Sequence, residues 1–153
     1  MLDALKRITK NTKKLDENRF IKKALDNTQI QHDILELNRT DQLYNQGITA
    51  DGKSLGGYSP FTIQYKVSEA GRLGRDTRID HITLKDTGAF YDSFTFKNSA
   101  DEFIIRADTV KDGEDLVERE GEILGLTEAN KSEVAGWIKR DIIRQTLETI
   151  TGR

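Results

Sequence analysis

The chain has 153 residues, of which 35% are hydrophobic and 33% are charged, so it can bury a modest core beneath a strongly charged surface. Its formal net charge of −2 argues against a dedicated nucleic-acid-binding protein, because such proteins present a strongly basic domain or face. The absence of cysteine excludes disulfides, thiolate zinc sites and cysteine nucleophiles. No apolar run is long enough to span a membrane, and we expect no membrane contact, no cofactor and no metal site.

The charge is unevenly distributed along the chain. Residues 1–26 contain eight basic and four acidic residues, a surplus of four positive charges. Residues 108–133 contain nine acidic and three basic residues, a surplus of six negative charges. Unlike charge at the two ends suits head-to-tail contacts between identical copies of the chain.

Helical patterns dominate the first part of the chain. Apolar residues recur at helical spacing between Leu2 and Leu25 and predict a first helix, whose lysines form either a solvated face or a surface for DNA or lipid. Asn27 and Thr28 predict a break and a cap. A second helical stripe follows and ends at Gly47.

A glycine-rich stretch then leads into a third helix. Residues 50–58 contain three glycines and predict turns. Ser59 and Pro60 predict a helix start, because the serine hydroxyl can accept a free backbone N–H and proline lacks the N–H that would be unpaired there. We expect the helix to run from Phe61 to Glu69 and Gly71 to end it in a left-handed conformation.

The loop at residues 71–80 carries three arginines, Arg72, Arg75 and Arg78. We predict that they contact a neighbouring subunit or DNA, with a solvated loop as the alternative, and we expect the loop to be mobile in the isolated protein. Gly71 and Gly74 do not form a phosphate-binding loop, because the Lys-Ser/Thr pair and the preceding apolar strand are missing.

The second half of the chain predicts a small sheet followed by helices. Alternating residues at 92–108 predict a β-hairpin. The acidic residues at 112–122 predict a short helix, and Thr127 predicts the cap of a final helix. The whole pattern predicts an α+β fold in one domain at residues 1–153. It divides into a helical segment at 1–46, an α+β core at 47–108 and a helical segment at 109–153, so helices flank a small antiparallel sheet.

The string Asp86-Thr87-Gly88-Ala89 resembles the catalytic turn of retroviral-type aspartic proteases, in which two such turns share a proton across a homodimer. Lys85 stands where that family has an apolar residue, and that family is almost entirely β. We instead interpret Asp86 or Thr87 as the cap of a short turn and Gly88 as its tight backbone position. Phe90, Tyr91 and Phe94 are then predicted to pack into the core. We find no catalytic residue.

Two stretches read together carry a second resemblance: DGKSLGGYSPFTIQYK at residues 51–66 and TLKDTGAFYDSFTF at residues 83–96. In order and spacing they resemble the paired motifs of the tailed-phage virion morphogenesis and tail-completion proteins, which are head-to-tail connector components. Asp86 lies inside the second motif, and Tyr58 stands where that family often has Trp. The matching positions are Asp51, Gly52, Tyr58, Ser59, Thr62, Lys66, Leu84, Thr87, Gly88, Phe90 and Ser93.

This resemblance covers residues 47–108 and implies an α+β virion subunit without a catalytic residue. It implies a ring of six or twelve copies at the head-to-tail junction, beside portal, connector or tail proteins and assembled in the host cytoplasm. Genomic DNA would pass through the ring without sequence-specific binding. The alternatives are a generic soluble assembly or adaptor module and a homodimeric aspartic protease that uses Asp86.

Overall fold

The computed structural model describes residues 6, 16–99 and 102–152 and has an α+β fold. The predicted architecture, a small antiparallel hairpin flanked by N-terminal and C-terminal helices, is confirmed. The described α-helices are α1 (Glu17–Leu25), α2 (Thr28–Glu36), α3 (Pro60–Tyr65), α4 (Ala89–Asp92), α5 (Leu116–Glu120) and α6 (Glu128–Thr151). The described strands are β1 (Thr95–Ser99), β2 (Glu102–Arg106), β3 (Val110–Lys111) and β4 (Glu114–Asp115).

The first two described helices begin at side-chain caps. The Asp16 carboxylate accepts the backbone N–H of Arg19 at the start of α1, and the Asn27 side chain accepts two backbone N–H groups at the start of α2. The helix predicted from Leu2 to Leu25 is confirmed from Glu17 onward, but it is not one continuous helix, because Asp16 has an extended backbone. Lys6 is helical, and residues 1–5 and 7–15 lie outside the described residues.

Helix α2 continues as a π-helical segment, Leu37–Gln46, which ends at the left-handed Gly47 as predicted. Two buried amides of this segment, Asn38 and Gln42, hold the backbone of residues 123–127. Asn38 donates to the carbonyl O of Ile123 and accepts from Gly125 N–H, both at 3.0 Å. Gln42 donates to the carbonyl O of Gly125 (2.9 Å) and accepts from Thr127 N–H (2.8 Å). We call this set of contacts the amide clasp.

Helix α3 begins at Ser59, whose hydroxyl accepts the backbone N–H of Thr62 as predicted. The helical path then continues through a π-helical segment, Lys66–Ala70, and a 3₁₀ turn, Gly71–Leu73. The expectation that Gly71 ends the helix in a left-handed conformation is wrong, because Gly71 is right-handed and Gly74 takes the left-handed position. The chain reverses after Gly71, where Gly74 N–H donates to the Gly71 carbonyl O at 3.2 Å and Arg75 N–H donates to the Ala70 carbonyl O at 2.9 Å.

The predicted hairpin is confirmed but is shorter than residues 92–108. β1 and β2 pair from Thr95↔Arg106 to Ser99↔Glu102, because α4 and the turn after it occupy residues 89–93. On the inner face Phe96 stacks on Phe103 with ring centroids 5.2 Å apart. A second small hairpin joins β3 to β4.

The final helix begins at its predicted cap, whereas the short helix predicted at residues 112–122 is limited to α5, because residues 114–115 form β4. Asp115 caps α5, and Thr127 caps α6 by accepting the backbone N–H of Asn130. Helix α6 packs on α1, where Gln145 Nε2 donates to the carbonyl O of Phe20 at 3.1 Å. A cluster of buried apolar side chains joins elements from α2 to α6, and its residues are Ile34, Leu43, Leu55, Leu84, Phe90, Tyr91, Phe94, Ile105, Leu116, Ile123, Leu126 and Val134.

Candidate functional site

A buried ion pair between Lys66 and Asp76 lies where the two motif stretches meet. Only 8% of the Lys66 side chain and 4% of the Asp76 side chain are exposed. Lys66 Nζ lies 2.9 Å from Asp76 Oδ2 and 2.9 Å from the Asp76 carbonyl O. It also lies 4.6 Å from the centre of the Tyr58 ring, a distance that suits a cation–π contact. The helical turn after α3 and the reversal at Gly74 bring the two charged residues together.

Hydroxyl groups complete this network. Thr83 Oγ1 donates to Asp76 Oδ2 at 2.8 Å, and Tyr44 OH donates to Asp76 Oδ1 at 3.2 Å. The Tyr58 hydroxyl accepts the backbone N–H of Thr83 at 3.0 Å, while the Tyr91 hydroxyl donates to the Thr83 carbonyl O. We call Tyr44, Tyr58, Lys66, Asp76, Thr83 and Tyr91 the Lys66–Asp76 network.

The electrostatics of the network keep its ion pair charged. Burial alone would raise the pKa of Asp76, but hydrogen bonds from Lys66 and Thr83 outweigh it and leave this pKa below its ordinary value. Burial alone would lower the pKa of Lys66, but Asp76 and Tyr58 outweigh it and leave this pKa raised. Burial raises the pKa of Tyr91, so its hydroxyl stays a donor.

The remaining residues of the first motif form a turn and a cap. Asp51 accepts from Thr49 Oγ1 and pairs with Lys53 Nζ at 2.6 Å, and Gly52 has a φ of +80° that suits glycine. Ser59 and Thr62 form the cap of α3. These four motif residues therefore fix the backbone that leads to Tyr58 and Lys66.

Asp86 lies in a tight turn next to the network. Its φ is +43°, and Gly88 N–H donates to the Lys85 carbonyl O at 2.7 Å, with Gly88 at φ +95°. The Asp86 carboxylate accepts from Lys111 Nζ at 2.7 Å, and Arg75 lies 3.4 Å away. Thr87 Oγ1 accepts the backbone N–H of Ala89 at 3.4 Å.

The second motif leads from this turn into the core. Leu84 has a φ of +58°, an unfavourable conformation for a branched residue, and its burial in the core holds it there. Phe90, Tyr91 and Phe94 are buried as predicted, with the rings of Phe90 and Phe94 5.1 Å apart. Ser93 Oγ accepts the backbone N–H of Asp108 at 2.9 Å and so ties the turn to the end of the hairpin.

The three loop arginines differ in their surroundings. Arg78 donates to the Tyr44 carbonyl O at 2.9 Å and pairs with Asp80 at 2.8 Å. Arg75 faces Asp86, whereas the side chain of Arg72 is 75% exposed and pairs with Glu69 on its own helical turn. The loop that we expected to be mobile is therefore attached to the rest of the chain at two of its three arginines.

An open cleft of about 280 Å³ lies over the network. Its floor includes Tyr58, Lys66 and Leu84, and its rim includes Arg75 and Lys111. A neighbouring cleft of about 360 Å³ shares the rim at Arg75, Lys85, Asp86 and Lys111. Cations at the rim and an aromatic floor can receive an acidic or apolar group from another molecule.

Sequence reasoning identified Tyr58, Lys66 and Leu84 but missed Asp76, Tyr44 and the role of Thr83. Asp76 stands in a polar loop, and nothing local marks it as the buried partner of a lysine ten residues earlier. The contact between Lys66 and Asp76 could have been found only by predicting where the helix after Pro60 turns back.

The part of the chain that the structure describes contains no cluster of three or more His, Asp or Glu side chains suited to a metal ion. Within the same residues no helix is both long and apolar enough to cross a membrane. Comparison of the chain with protein-family models, with curated proteins and with solved structures found no match.

Proposed function

We propose that the chain is a structural subunit of a tailed-phage virion that forms a ring at the head-to-tail junction, as a connector, neck or tail-completion protein around the DNA channel. The observation that carries this proposal is the contact between the two motif stretches. Tyr58 and Lys66 of the first stretch meet Thr83 of the second through hydrogen bonds to Asp76 and to one another. Stretches whose order and spacing resemble the family's paired motifs therefore form one unit.

The surface around this unit supports a role in assembly. Phe61, Val67 and Leu73 are large apolar side chains that lie exposed along α3 and its continuation. Large exposed apolar patches are typical of surfaces that contact other proteins. Lys66 lies on this element, and its contacts with Asp76 and Tyr58 attach the element to the rest of the chain.

The surroundings of Asp86 support a structural role for the Asp-Thr-Gly turn. The protease mechanism needs two carboxylates that meet and share one proton. Asp86 instead lies between two cations, Lys111 and Arg75, and its carbonyl O accepts the backbone N–H of Asp76 at 2.8 Å. These contacts suit a residue that joins the turn to the loop and to β3.

In this proposal the ring has six or twelve copies and lies in the virion beside portal, connector or tail proteins, after assembly in the host cytoplasm. Genomic DNA passes through the ring without sequence-specific binding. A net charge of −2 suits such a channel, because many phosphate contacts would bind the DNA strongly and hinder its passage.

Deleting the gene from the genome that encodes it tests the proposal. We expect electron microscopy of the resulting lysates to show DNA-filled heads and separate or incomplete tails, and the intact gene supplied in trans to restore joined particles. An Asp86→Asn gene should also restore them, whereas the protease alternative predicts that it fails. Normal particles from the deletion strain would refute the proposed ring and would leave the generic assembly or adaptor module as the alternative function.

A further inference from the structure

Strand β2 has an open edge. β1 pairs with one side of β2 along its whole length, and no backbone hydrogen bond joins the other side to any residue within 16–99 or 102–152. Proteins usually protect such an edge with proline, lysine or a bulge, because its free N–H and C=O groups can pair with another strand. β2 reads Glu-Phe-Ile-Ile-Arg and its register with β1 is continuous, so its charges lie only at the two ends and its centre has no proline, lysine or bulge.

An apolar groove of about 450 Å³ runs along this edge. Consecutive residues 102–105 all line it, and since successive side chains of a strand point to opposite faces, the groove lies along the edge rather than over one face. Leu124 and Leu126 form its other wall. Ile104 projects beside it with 53% of its surface exposed. The groove therefore offers backbone groups and apolar walls to an extended segment.

We propose that this edge binds β2 of a second copy of the chain, antiparallel and centred on Ile104, so that two hairpins form one four-stranded sheet. The sequence of β2 is complementary to itself in this register. Glu102 lies opposite Arg106 of the second copy, Phe103 lies opposite Ile105, and the two Ile104 side chains meet at the two-fold axis. Opposite charges and apolar side chains that face each other across strands stabilise such pairs.

The charges at the ends of β2 are available for this contact. Glu102 and Arg106 are both exposed, and neither has an ion-pair partner among the residues that the structure describes. Because the strand carries its acid at one end and its base at the other, only an antiparallel copy pairs unlike charges at both ends. A nucleic acid does not suit the groove, because most of its lining is apolar and the two charged residues that line it, Glu102 and Lys131, have opposite sign.

This inference does not rest on the proposed function. A two-fold dimer is a closed assembly, whereas a ring requires a head-to-tail contact on a different surface. Failure of the dimer would leave the ring untouched, and normal particles from the deletion strain would leave the dimer untouched.

Sedimentation velocity of the full chain over a wide range of concentration tests the dimer. We expect a reversible monomer–dimer equilibrium. In the proposed dimer, each of the single variants Glu102→Arg and Arg106→Glu places like charges opposite one another at both ends of the paired β2 strands. Each variant should therefore raise the dimer dissociation constant by about tenfold or more. The double exchange Glu102→Arg with Arg106→Glu restores unlike pairs and should return the constant close to that of the original chain.

Lys97→Glu is the matched control, because Lys97 lies opposite Ile104 in the same hairpin but on β1, away from the open edge. It should leave the dissociation constant unchanged. A chain that sediments as a monomer at every concentration would overturn the proposal. A double-exchange variant whose dimer dissociation constant stays as high as that of the single variants would also overturn it. Because this variant carries both replacements, a return of its dissociation constant to that of the original chain also shows that neither replacement prevents folding.

Discussion

Replacing Lys66 by Met tests whether the Lys66–Asp76 network stabilises the fold. Methionine keeps most of the apolar stem of lysine but removes the charge and both hydrogen bonds to Asp76. Asp76 would then be a buried carboxylate, only 4% exposed, without a cation in contact with it.

Removing one partner of a buried ion pair costs about 3–5 kcal/mol, because the remaining charge stays out of water uncompensated. Asp76 would keep its hydrogen bonds from Thr83 and Tyr44, so we expect the lower end of that range, about 3 kcal/mol. Domains are stable by only about 5–15 kcal/mol, so the loss should be easy to measure.

Urea unfolding followed by the fluorescence of Trp137 gives the measurement. This residue is the only tryptophan of the chain and packs against the core, so its signal reports loss of the fold. Lys22→Met is the control, because Lys22 pairs with Asp26 at 2.7 Å but both side chains are about half exposed and water screens the pair. A loss below about 1 kcal/mol for Lys66→Met would refute the reasoning, because it would mean that Asp76 is hydrated or neutral.

Two further predictions concern a glycine and the pH dependence of stability. Gly47→Ala should destabilise the protein more than Gly52→Ala. Both glycines have a positive φ, which costs about 1–2 kcal/mol for alanine. Of the two, Gly47 is the position where the new Cβ would meet a side chain, because it would lie 2.3 Å from His81 Cδ2. Equal urea midpoints for the two variants would contradict the contact with His81. The pKa of Asp76 is lowered in the fold from 3.8, so its contribution is present above pH 3.8 and lost as the pH falls through the folded pKa. The stability difference between the original chain and Asp76→Asn should therefore shrink as the pH falls below 3.8, and a constant difference in urea midpoints would show that Asp76 does not titrate as described.

Local features of the fold could be predicted from the sequence because their causes lie within a few residues. Asn27, Ser59 and Thr127 each cap a helix as predicted, since a capping side chain bonds to a backbone N–H two or three positions away. The β1–β2 hairpin was predictable from the alternation of apolar and polar residues, because this pattern also lies within a few neighbouring residues. Phe90 and Phe94 were predicted to be buried, because aromatic side chains remove a large apolar area from water when they pack in a core.

Features that depend on distant residues could not be predicted. Gly71 and Gly74 are both suited to end a helix, and the local sequence does not distinguish between them. Asp76 has the composition of a loop residue, and only the folded chain shows that Lys66 reaches it. The candidate site was therefore predicted at its turns and caps but not at its buried centre.

The amide clasp has a consequence for how the chain folds during synthesis. Asn38 and Gln42 are fully buried, and the backbone groups that satisfy them lie at Ile123, Gly125 and Thr127, more than 80 residues later. Closing so long a loop is slow, and until it closes these amides need water. We therefore expect the N-terminal helices not to pack stably on the ribosome until residue 127 has emerged. A nascent chain that ends before this residue is then a substrate for chaperones rather than a folded intermediate.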